Sequence, residues 1–577
     1  MAGNSLTKRQ CVADFAELVA DSNEWLSTFS DVTDYIATNR GGTAFNSTPS
    51  RRKLVASKAI NTAAEDALNV LIAGIQGGLV PSSRPWLQLE WSDDKSNDHP
   101  ILSNWLFQCS RILSDIFADT NFYPATGQGI RECCLFGNGA SFSDSTDKDS
   151  IFSLSTIPCG DYVFTTDAFG RVNKFHRVYY LSPINLVERF GAGRVSPATN
   201  QLVKQKSSMR DVKFIAVLET TLKQNYMTLP YKRYSWEIGN AGIGAEARAG
   251  IMSATEVQTP LEMVGFHEFP VNIMRWEVNG NDNFGIGPGI KALPEVKRLQ
   301  EIEKAYRLAV HKEADPPLHA PSYLKGSLKS LPGSRSYYRN PNDQIYNLYN
   351  INFNAESVLQ LRADLEHKIG LKFFNDIFIT SARDPNASPL KAAEVVMRDG
   401  EKLFRLGTVM ERIIPEYFSP LILRCFNIAY RKKMFPPLPP ELEKAAGGIR
   451  IRFTSPLAQA QKIISARSIE TAIAFAGQVA SVKPDALDNI NTDMSIKEYF
   501  EAHGTPKSII NDPGAVDKIR KDRLQQQQAM IQQQQQREDA TLAIQAVPAE
   551  ATAQKARAEA GQILTDSFLS QQELSGL

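Results

Sequence analysis

The chain is short of the residues and motifs that catalysis and metal binding need. Its 577 residues include only six cysteines, Cys11, Cys109, Cys133, Cys134, Cys159 and Cys425. None forms a Cys-x-x-Cys pair, so neither a zinc site nor a disulfide framework is indicated. Cys133 and Cys134 are adjacent in an apolar run, Cys-Cys-Leu-Phe, and read as buried free thiols of a protein made for a reducing compartment. The seven histidines, at 99, 176, 267, 311, 319, 367 and 503, never cluster at metal-ligand spacing. There is no His-Glu-x-x-His, no Gly-x-Ser-x-Gly and no Gly-x-x-x-x-Gly-Lys-Ser/Thr. These absences argue against a zinc peptidase, an α/β-hydrolase and a P-loop motor, and the chain is expected to be no enzyme and to need no cofactor.

An excess of one charge is also missing. The 64 Lys and Arg residues are balanced by 63 Asp and Glu, for a net charge of +1. A monomeric nucleic-acid binder usually shows a basic imbalance. Any DNA contact must therefore be local, weak or assembled from many copies. No run of about 18 apolar residues is present, so no membrane span is expected. The first residues, Met-Ala-Gly-Asn-Ser-Leu-Thr-Lys, lack the apolar centre of a signal peptide.

What is present is an ordinary folding composition, 42% hydrophobic and 22% charged, in a chain long enough for several domains or subdomains. Residues 7–80 read as helical. Phe15, Leu18 and Val19 recur at helix spacing, as do Ala64, Leu68, Leu71, Ile72 and Ile75, with Gly77-Gly78 as a stop. Trp86 to Trp91 alternates like a strand, and Pro100 to Thr120 returns to helical spacing. From Ala140 to Val278 the texture is one of short strands, with Asp167-Ala-Phe-Gly170 as a hairpin connection.

Two long helices follow. The first runs from Lys291 to Asp315, with Val296, Leu299, Ile302, Tyr306 and Val310 on one side and six basic and five acidic side chains around them. If helical from Pro294 to Ala314, it is roughly 32 Å long at 1.5 Å per residue. Pro316-Pro317 stops it. The second runs from Ala355 to Phe374, with Val358, Leu361, Leu365 and Ile369 in one stripe. Between them lies a compact segment, Leu318 to Asn354, with Ile345-Tyr-Asn-Leu-Tyr as a strand. The order predicts a hairpin of helices with a small head. Narrow apolar stripes of this kind suit packing against identical neighbours, and ordinary surface helices show them as well.

The remainder is a polar loop from Thr380 to Leu390, a helical run from Ala392 to Tyr430 kinked at Pro415, a stiff Pro436–Pro440 connector and a helical run from Ser455 to Val482. Arg523 to Arg537 is a Gln-rich low-complexity stretch, followed by an Ala/Glu/Gln run to Gly561. Two readings stand for this tail: disorder, or a helix that forms when copies assemble side by side.

One motif invites an enzymatic reading. Gly285-Ile-Gly287-Pro288-Gly289 follows a strand-like run, Val271 to Val278, and opens the first long helix. Such a turn can cradle a pyrophosphate. The dinucleotide fingerprint, however, needs a glycine at the sixth position, where Ile290 stands, and Pro288 removes a backbone donor. Pro294 suits the first turn of a helix. A tight structural turn into a helix is the better reading.

The order of parts resembles the head-to-tail connector, or portal, proteins of short-tailed bacteriophages. The resemblance is carried by Pro81 with Pro85-Trp86-Leu87, by Asn121-Phe122-Tyr123 followed by Leu135-Phe136-Gly137-Asn138-Gly139, and by Phe284-Gly-x-Gly-Pro288 with Ala292-Leu293-Pro294 and Lys297-x-Leu299. It is carried further by Ala393-Glu394-Val395 with Arg398 and Glu401, and most clearly by Ser455-Pro-Leu-Ala-Gln-Ala-Gln-Lys462. Together they span roughly residues 80–510; the Gln-rich repeat has no counterpart in the pattern.

The resemblance implies an α+β, mostly helical portal fold of wing, stem, clip and crown, assembled as a ring of about twelve copies around a central channel. On this chain the N-terminal wing would be 1–285, the stem helices 286–317 and 355–378, the clip 318–354 and the tunnel loop 379–392. The long wing helix would be 393–435, the crown 436–510 and the tail 511–577. Implied partners are other copies of the chain, the terminase large subunit, tail adaptor proteins, major capsid protein and scaffold, and the double-stranded DNA in the channel, with no membrane. The implied place is a capsid vertex of the virion, after assembly in the host cytoplasm. Arg383 and Lys391 would ring the channel as the tunnel loop. Lys325, Lys329, Arg335 and Arg339 would meet a partner or DNA from the clip. Each of these charges also reads as an ordinary solvated one.

Overall fold

The computed structural model describes residues 7–37, 59–93, 99–145, 151–204, 215–223, 229–239, 259–280, 282–320, 345–347, 354–378, 405–437, 448–454, 469–479, 490–502 and 513–573, with single positions at 322, 335, 340 and 439. It divides into two units, Met1–Gly504 and Thr505–Leu577. The first is a mostly helical α+β structure with one main hydrophobic core.

Helices α1 (Lys8–Asp21) and α2 (Asn23–Tyr35) open it. A capping box fixes the start: the Thr7 hydroxyl accepts from the Gln10 N–H, and the Gln10 side chain accepts from the Thr7 N–H at 3.0 Å. Phe15 and Val19 on α1, and Leu26, Phe29 and Val32 on α2, turn into the core. Helix α3 (Ala63–Leu79) buries Leu68, Leu71, Ile75 and Leu79. It runs through Gly77-Gly78, where the sequence predicted its end. Burial of Leu79 carries the last turn past the two glycines.

Strand β1 (Leu87–Trp91) alternates as predicted, with Leu87, Leu89 and Trp91 inside. Helix α4 (Pro100–Asp119) also falls where expected. The next helix, α5 (Phe122–Phe136), has no counterpart in the sequence reading. Its Pro124, Gly127 and Gly129 are poor helix formers, and it is buried on most sides, so it has no polar face to give a period. The glycine permits a close approach: a Cβ on Gly139 would sit 2.3 Å from the Gly129 carbonyl oxygen.

The β region forms two sheets from β2 (Asn138–Asp144), β3 (Ser153–Ile157), β4 (Tyr162–Thr166) and β5 (Val172–Leu181), and, after two helices, β6 (Ile215–Lys223), β7 (Tyr231–Gly239), β8 (Glu262–Phe266) and β9 (Val271–Arg275). One is a three-stranded sheet in the order β3-β2-β9; the other is the antiparallel meander β4-β5-β6-β7-β8. Asp167 to Gly170 is the predicted hairpin turn, with Gly170 at φ 75°. The helices α6 (Pro183–Phe190) and α7 (Pro197–Lys204) were not expected. Their signal is the Ser-Pro start, Ser182-Pro183 and Ser196-Pro197, a capping residue followed by proline at the first helical position; the surrounding strand texture hides it.

Helix α8 (Pro288–Ala314) begins earlier than the sequence suggested, with Pro288 in its first turn. Pro294 therefore lies inside the helix and not at its start. The helix is 27 residues long, or roughly 40 Å at 1.5 Å per residue. Strands β10 (Leu318–His319) and β11 (Tyr346–Asn347) pair antiparallel beyond it. Helix α9 (Ala355–Lys372) returns, followed by the short α10 (Asn375–Phe378).

Residues 405–413 are helical and continue through a π-helical turn, Ile414–Phe418, into α11 (Ser419–Arg431). The predicted distortion at Pro415 takes this form: the proline has no N–H for an i−4 bond, and the wider turn accommodates it. Strand β12 (Ile449–Phe453) pairs antiparallel with β1 from the far end of the chain. Residues 469–479 and α12 (Thr492–Ala502) are helical. Among the described residues the second unit is one helix, α13 (Pro513–Glu573), 61 residues long. Among the described residues no helix is long and apolar enough to cross a membrane.

Candidate functional site

The glycine turn is filled by the protein itself. Gly137 ends α5 at φ 80°, a left-handed conformation that suits glycine. A Cβ added to Gly137 would meet the Gly285 carbonyl oxygen at 2.2 Å. A Cβ on Gly287 would lie 2.5 Å from the Gly137 nitrogen and 2.8 Å from the Cys133 oxygen, and one on Gly289 would lie 2.5 Å from the Leu135 oxygen. The backbone groups are used internally as well. The Gly285 N–H donates to Asn138 Oδ1 at 2.8 Å, Trp276 N–H to the Gly137 oxygen at 2.9 Å, and Ile286 N–H to the Glu277 oxygen at 2.6 Å. Asn138 is fully buried and its Nδ2 donates to the Phe136 oxygen at 3.2 Å. The space a phosphate would need is occupied by the end of α5, so the nucleotide-binding alternative loses its site. Gly285, Gly287, Pro288 and Gly289 come together as a seat that joins β9, α5 and α8.

From this seat α8 runs beside α9. Val296 and Leu299 on α8 and Leu365 and Ile369 on α9 are buried. Polar bonds fix the base of the pair. The Gln300 side chain accepts from the Ile60 and Asn61 N–H groups at 2.6 and 2.8 Å and donates to the Asn61 oxygen at 2.8 Å. Asn61 Nδ2 donates to Glu366 at 3.0 Å, and Arg362 reaches Glu366 at 2.9 Å and Glu303 at 3.5 Å. Hydrogen bonding from Arg362 and Asn61 holds the Glu366 carboxyl below its usual value, against the opposing effect of burial.

Farther along, both helices expose large apolar side chains. Leu308 is 53% exposed, Val310 40%, Leu359 46% and Leu361 37%. Leu318 and Tyr346 at the two-stranded tip are exposed too, and the His319 and Tyr346 rings stack at 5.2 Å. Leu308 and Val310, like Leu359 and Leu361, are two residues apart and so lie on different sides of their helices. Arg335, one of the four basic residues assigned to this segment, is exposed. Lys325, Lys329 and Arg339, the loop residues Arg383 and Lys391, and the motifs at 393–401 and 455–462 lie outside the described residues.

The sequence reading missed a set of buried ion pairs that lock the elements behind the seat. Arg275, at the end of β9, donates to Glu416 in the π-helical turn through Nε and Nη2, each at 2.9 Å, and to the Gly170 oxygen at 2.9 Å. Arg424 on α11 donates to Ser143 Oγ at 2.7 Å and to Glu268 at 3.2 Å. In the five-stranded sheet Glu219 is bound by Arg177 and by Tyr179. Burial pushes the Glu219 carboxyl upward, but Arg177 and Arg233 outweigh it and bring it to about 2. These partners are far apart in sequence and of common residue types, so no local signal announces them. All six cysteines are free and buried. Burial raises Cys11 to about 11 and Cys109 and Cys425 to about 12, so they stay protonated and inert. No cluster fit to hold a metal occurs among the described residues.

Comparison with known proteins bears on the same residues. The family "Bacteriophage head to tail connecting protein" matches residues 8–510, which takes in the seat, both long helices and the buried ion pairs. A probable portal protein of Bordetella phage BPP-1 is 27% identical over 528 residues, 91% of this chain and 92% of that protein. The portal protein of Salmonella phage epsilon15 is 28% identical over 531 residues, 90% of this chain and 92% of that protein. A solved structure titled "Neck of empty GTA particle computed with C6 symmetry" aligns at 11% identity, 76% of this chain and 95% of that one, with a TM-score of 0.33, too slight a likeness to bear on the architecture. The family match extends over nearly the whole first unit, and the chain belongs to the bacteriophage head-to-tail connecting proteins.

Proposed function

We propose that this chain is one subunit of a closed ring at the capsid vertex, through which DNA enters the head and later leaves it. The connector role itself follows from family membership: the protein is structural, it resides in the virion where head meets tail, and it meets capsid on one side and tail on the other. The observation that carries the ring is the set of exposed apolar side chains on α8 and α9, Leu308, Val310, Leu359 and Leu361, which lie on more than one side of their helices. A rotationally repeated, heterologous contact, in which each subunit uses two different faces, would cover these side chains between neighbours and close into a cylinder.

In this reading α8 and α9 are the stem, the β10–β11 tip belongs to the clip, and the body before residue 285 together with 393–435 is the wing. The crown, 436–510, is tied to the wing by the β1–β12 pairing. The copy number is about twelve, the closed cyclic state usual for such connectors. Terminase and then tail adaptors would dock at the clip, to which Lys325, Lys329, Arg335 and Arg339 would belong, and capsid protein and scaffold would meet the wing. The tunnel loop with Arg383 and Lys391 would set two rings of charge in the channel. The net charge of +1 suits a conduit, because strong phosphate neutralisation makes a sticky, salt-dependent site and DNA has to slide.

Negative-stain electron microscopy of the purified chain tests the ring. Rings with a central hole and about twelve-fold symmetry support it. Particles that remain monomers or dimers at every concentration and with capsid protein and scaffold present would overturn it.

A further inference from the structure

The turn between β4 and β5 holds an aromatic ring out in solvent. Phe169 is 86% exposed, more than any other large apolar side chain among the described residues. A single exposed apolar residue is ordinary, but the turn beneath this one is not. The Asp167 N–H donates to the Arg171 oxygen at 2.8 Å, and the Gly170 N–H to the Asp167 oxygen at 2.9 Å. The Asp167 carboxylate accepts from the Phe169 and Arg171 N–H groups, each at 2.9 Å. Gly170 takes the left-handed conformation at φ 75°. Its carbonyl oxygen accepts from Arg275 at 2.9 Å, and Arg275 is buried and clamped by Glu416.

Loop tips are as a rule the loosest parts of a fold. This tip is bonded across its own neck and tied from below to the core. The backbone under Phe169 is therefore ordered before any partner arrives. An aromatic side chain on such a support loses little freedom when it is buried, which is what distinguishes an anchor residue from a passing contact.

Its position indicates the partner. Thr166 Oγ1 donates to Asn283 Oδ1 at 3.1 Å, and the Phe164 ring packs edge-on against Phe284 at 5.3 Å. The turn thus adjoins the loop that leads into α8. Leu308, Val310, Leu359 and Leu361 are each partly covered already, and four such side chains fall well short of the roughly 800 Å² per partner that a stable interface takes. A ring contact has to extend past the helices, and an aromatic residue adds about 150–250 Å². The turn also carries one acidic and one basic residue, Asp167 and Arg171, so it presents no field of one sign to attract DNA.

We infer that Phe169 is an anchor that the β4–β5 turn inserts into the neighbouring copy of this chain. The inference rests on the ring reading, which supplies that neighbour, and it adds a second contact beside the helices.

The test places a photo-crosslinking p-benzoylphenylalanine at position 169 of the full-length chain, with mass photometry sorting rings from monomers before illumination. Rings should give covalent dimers and higher ladders on a denaturing gel, and monomers at the same chain concentration should give none. Phe169→Ala alters an exposed position and should melt as the wild type does, but should need at least tenfold more protein to form rings. Three results overturn the inference: rings that yield no chain-to-chain product, a product that appears only with added capsid protein and contains it, and Phe169→Ala rings that form at the wild-type concentration. A wild-type chain that stays monomeric in mass photometry defeats the ring reading and the inference with it, and no crosslink is needed to recognise that case.

Discussion

Arg275 holds Glu416 through two parallel hydrogen bonds, both 2.9 Å long. The pair joins the last strand before the glycine seat to the π-helical turn made at Pro415. Arg275 is 5% exposed, and its third bond runs to the Gly170 oxygen in the β4–β5 turn. Two-pronged arginine–carboxylate contacts fix geometry as well as adding energy, so this one side chain sets the relation of three distant segments.

Replacing Arg275 with Ala leaves Glu416 and the Gly170 oxygen without their donor. The expected loss is about 3–5 kcal/mol, the usual cost of breaking one side of a buried pair. Denaturant unfolding of the variant under conditions that keep it monomeric checks this. Glu416→Gln, which keeps the shape and one acceptor, should cost less.

Gly287→Ala should be among the most damaging single-methyl changes in the chain. The new carbon would sit 2.5 Å from one backbone nitrogen and 2.8 Å from a backbone oxygen, neither of which is a flexible side-chain end. Overpacking of this kind costs about 1–3 kcal/mol or more. Soluble yield and thermal unfolding read the effect. Gly77→Ala, where nothing lies within 4 Å of the new carbon, is the control and should be neutral or slightly stabilising. Wild-type protein should show no ATP or NAD binding by calorimetry; measurable binding would restore the nucleotide reading.

Acid should weaken the fold in two windows. His176 is fully buried beside Thr220, and desolvation lowers it from 6.5 to about 4. The unfolded chain therefore binds a proton there at a pH where the folded chain does not, and stability falls as the pH drops from 6.5 to about 4. Glu219 is lowered from 4.5 to about 2, so a second loss runs across that lower range. Each step amounts to roughly 3 kcal/mol at its end. Urea titrations at pH 7.5, 5 and 4 should show the first decline, and His176→Phe should remove part of it. A flat profile between pH 7 and 5 would contradict the assignment to His176.

Leu308→Glu with Leu359→Glu alters only exposed positions, so the monomer should fold and melt as before. Ring assembly should be lost, because each copy would place two charges where a neighbour must bury apolar surface. Mass photometry beside circular dichroism separates the two effects.

Arg383→Glu with Lys391→Glu should leave rings intact and reduce DNA packaging in an assembly assay. Unchanged packaging would mean that these residues are ordinary solvated charges.

The parts of the fold legible in the sequence are those with one polar and one buried face. Helices α1, α3, α4, α8 and α9 and strand β1 follow from their periodicity, and the Pro316-Pro317 stop and the turn at Asp167 follow from local chemistry. Helix α5 was not legible because burial on most sides removes the period. Helices α6 and α7 were hidden by the strands around them, although their Ser-Pro starts were visible. The start of α8 was misplaced because Pro294 was taken as a first-turn proline, when Pro288 holds that position.

The sequence alone determined that the chain lacks the known catalytic motifs, carries no net charge field, and presents the family's ordered motifs across 80–510, because these depend on residue type and spacing. Only the tertiary structure decided what the glycine turn is for. Three glycines in a loop look the same whether they face a phosphate or a neighbouring backbone; here the end of α5 fills the cradle. The structure also decided which arginines matter, since the pairings Arg275–Glu416 and Arg424–Glu268 join residues 141 and 156 positions apart. Contacts over that distance are set by how the elements pack, and no local spacing encodes them.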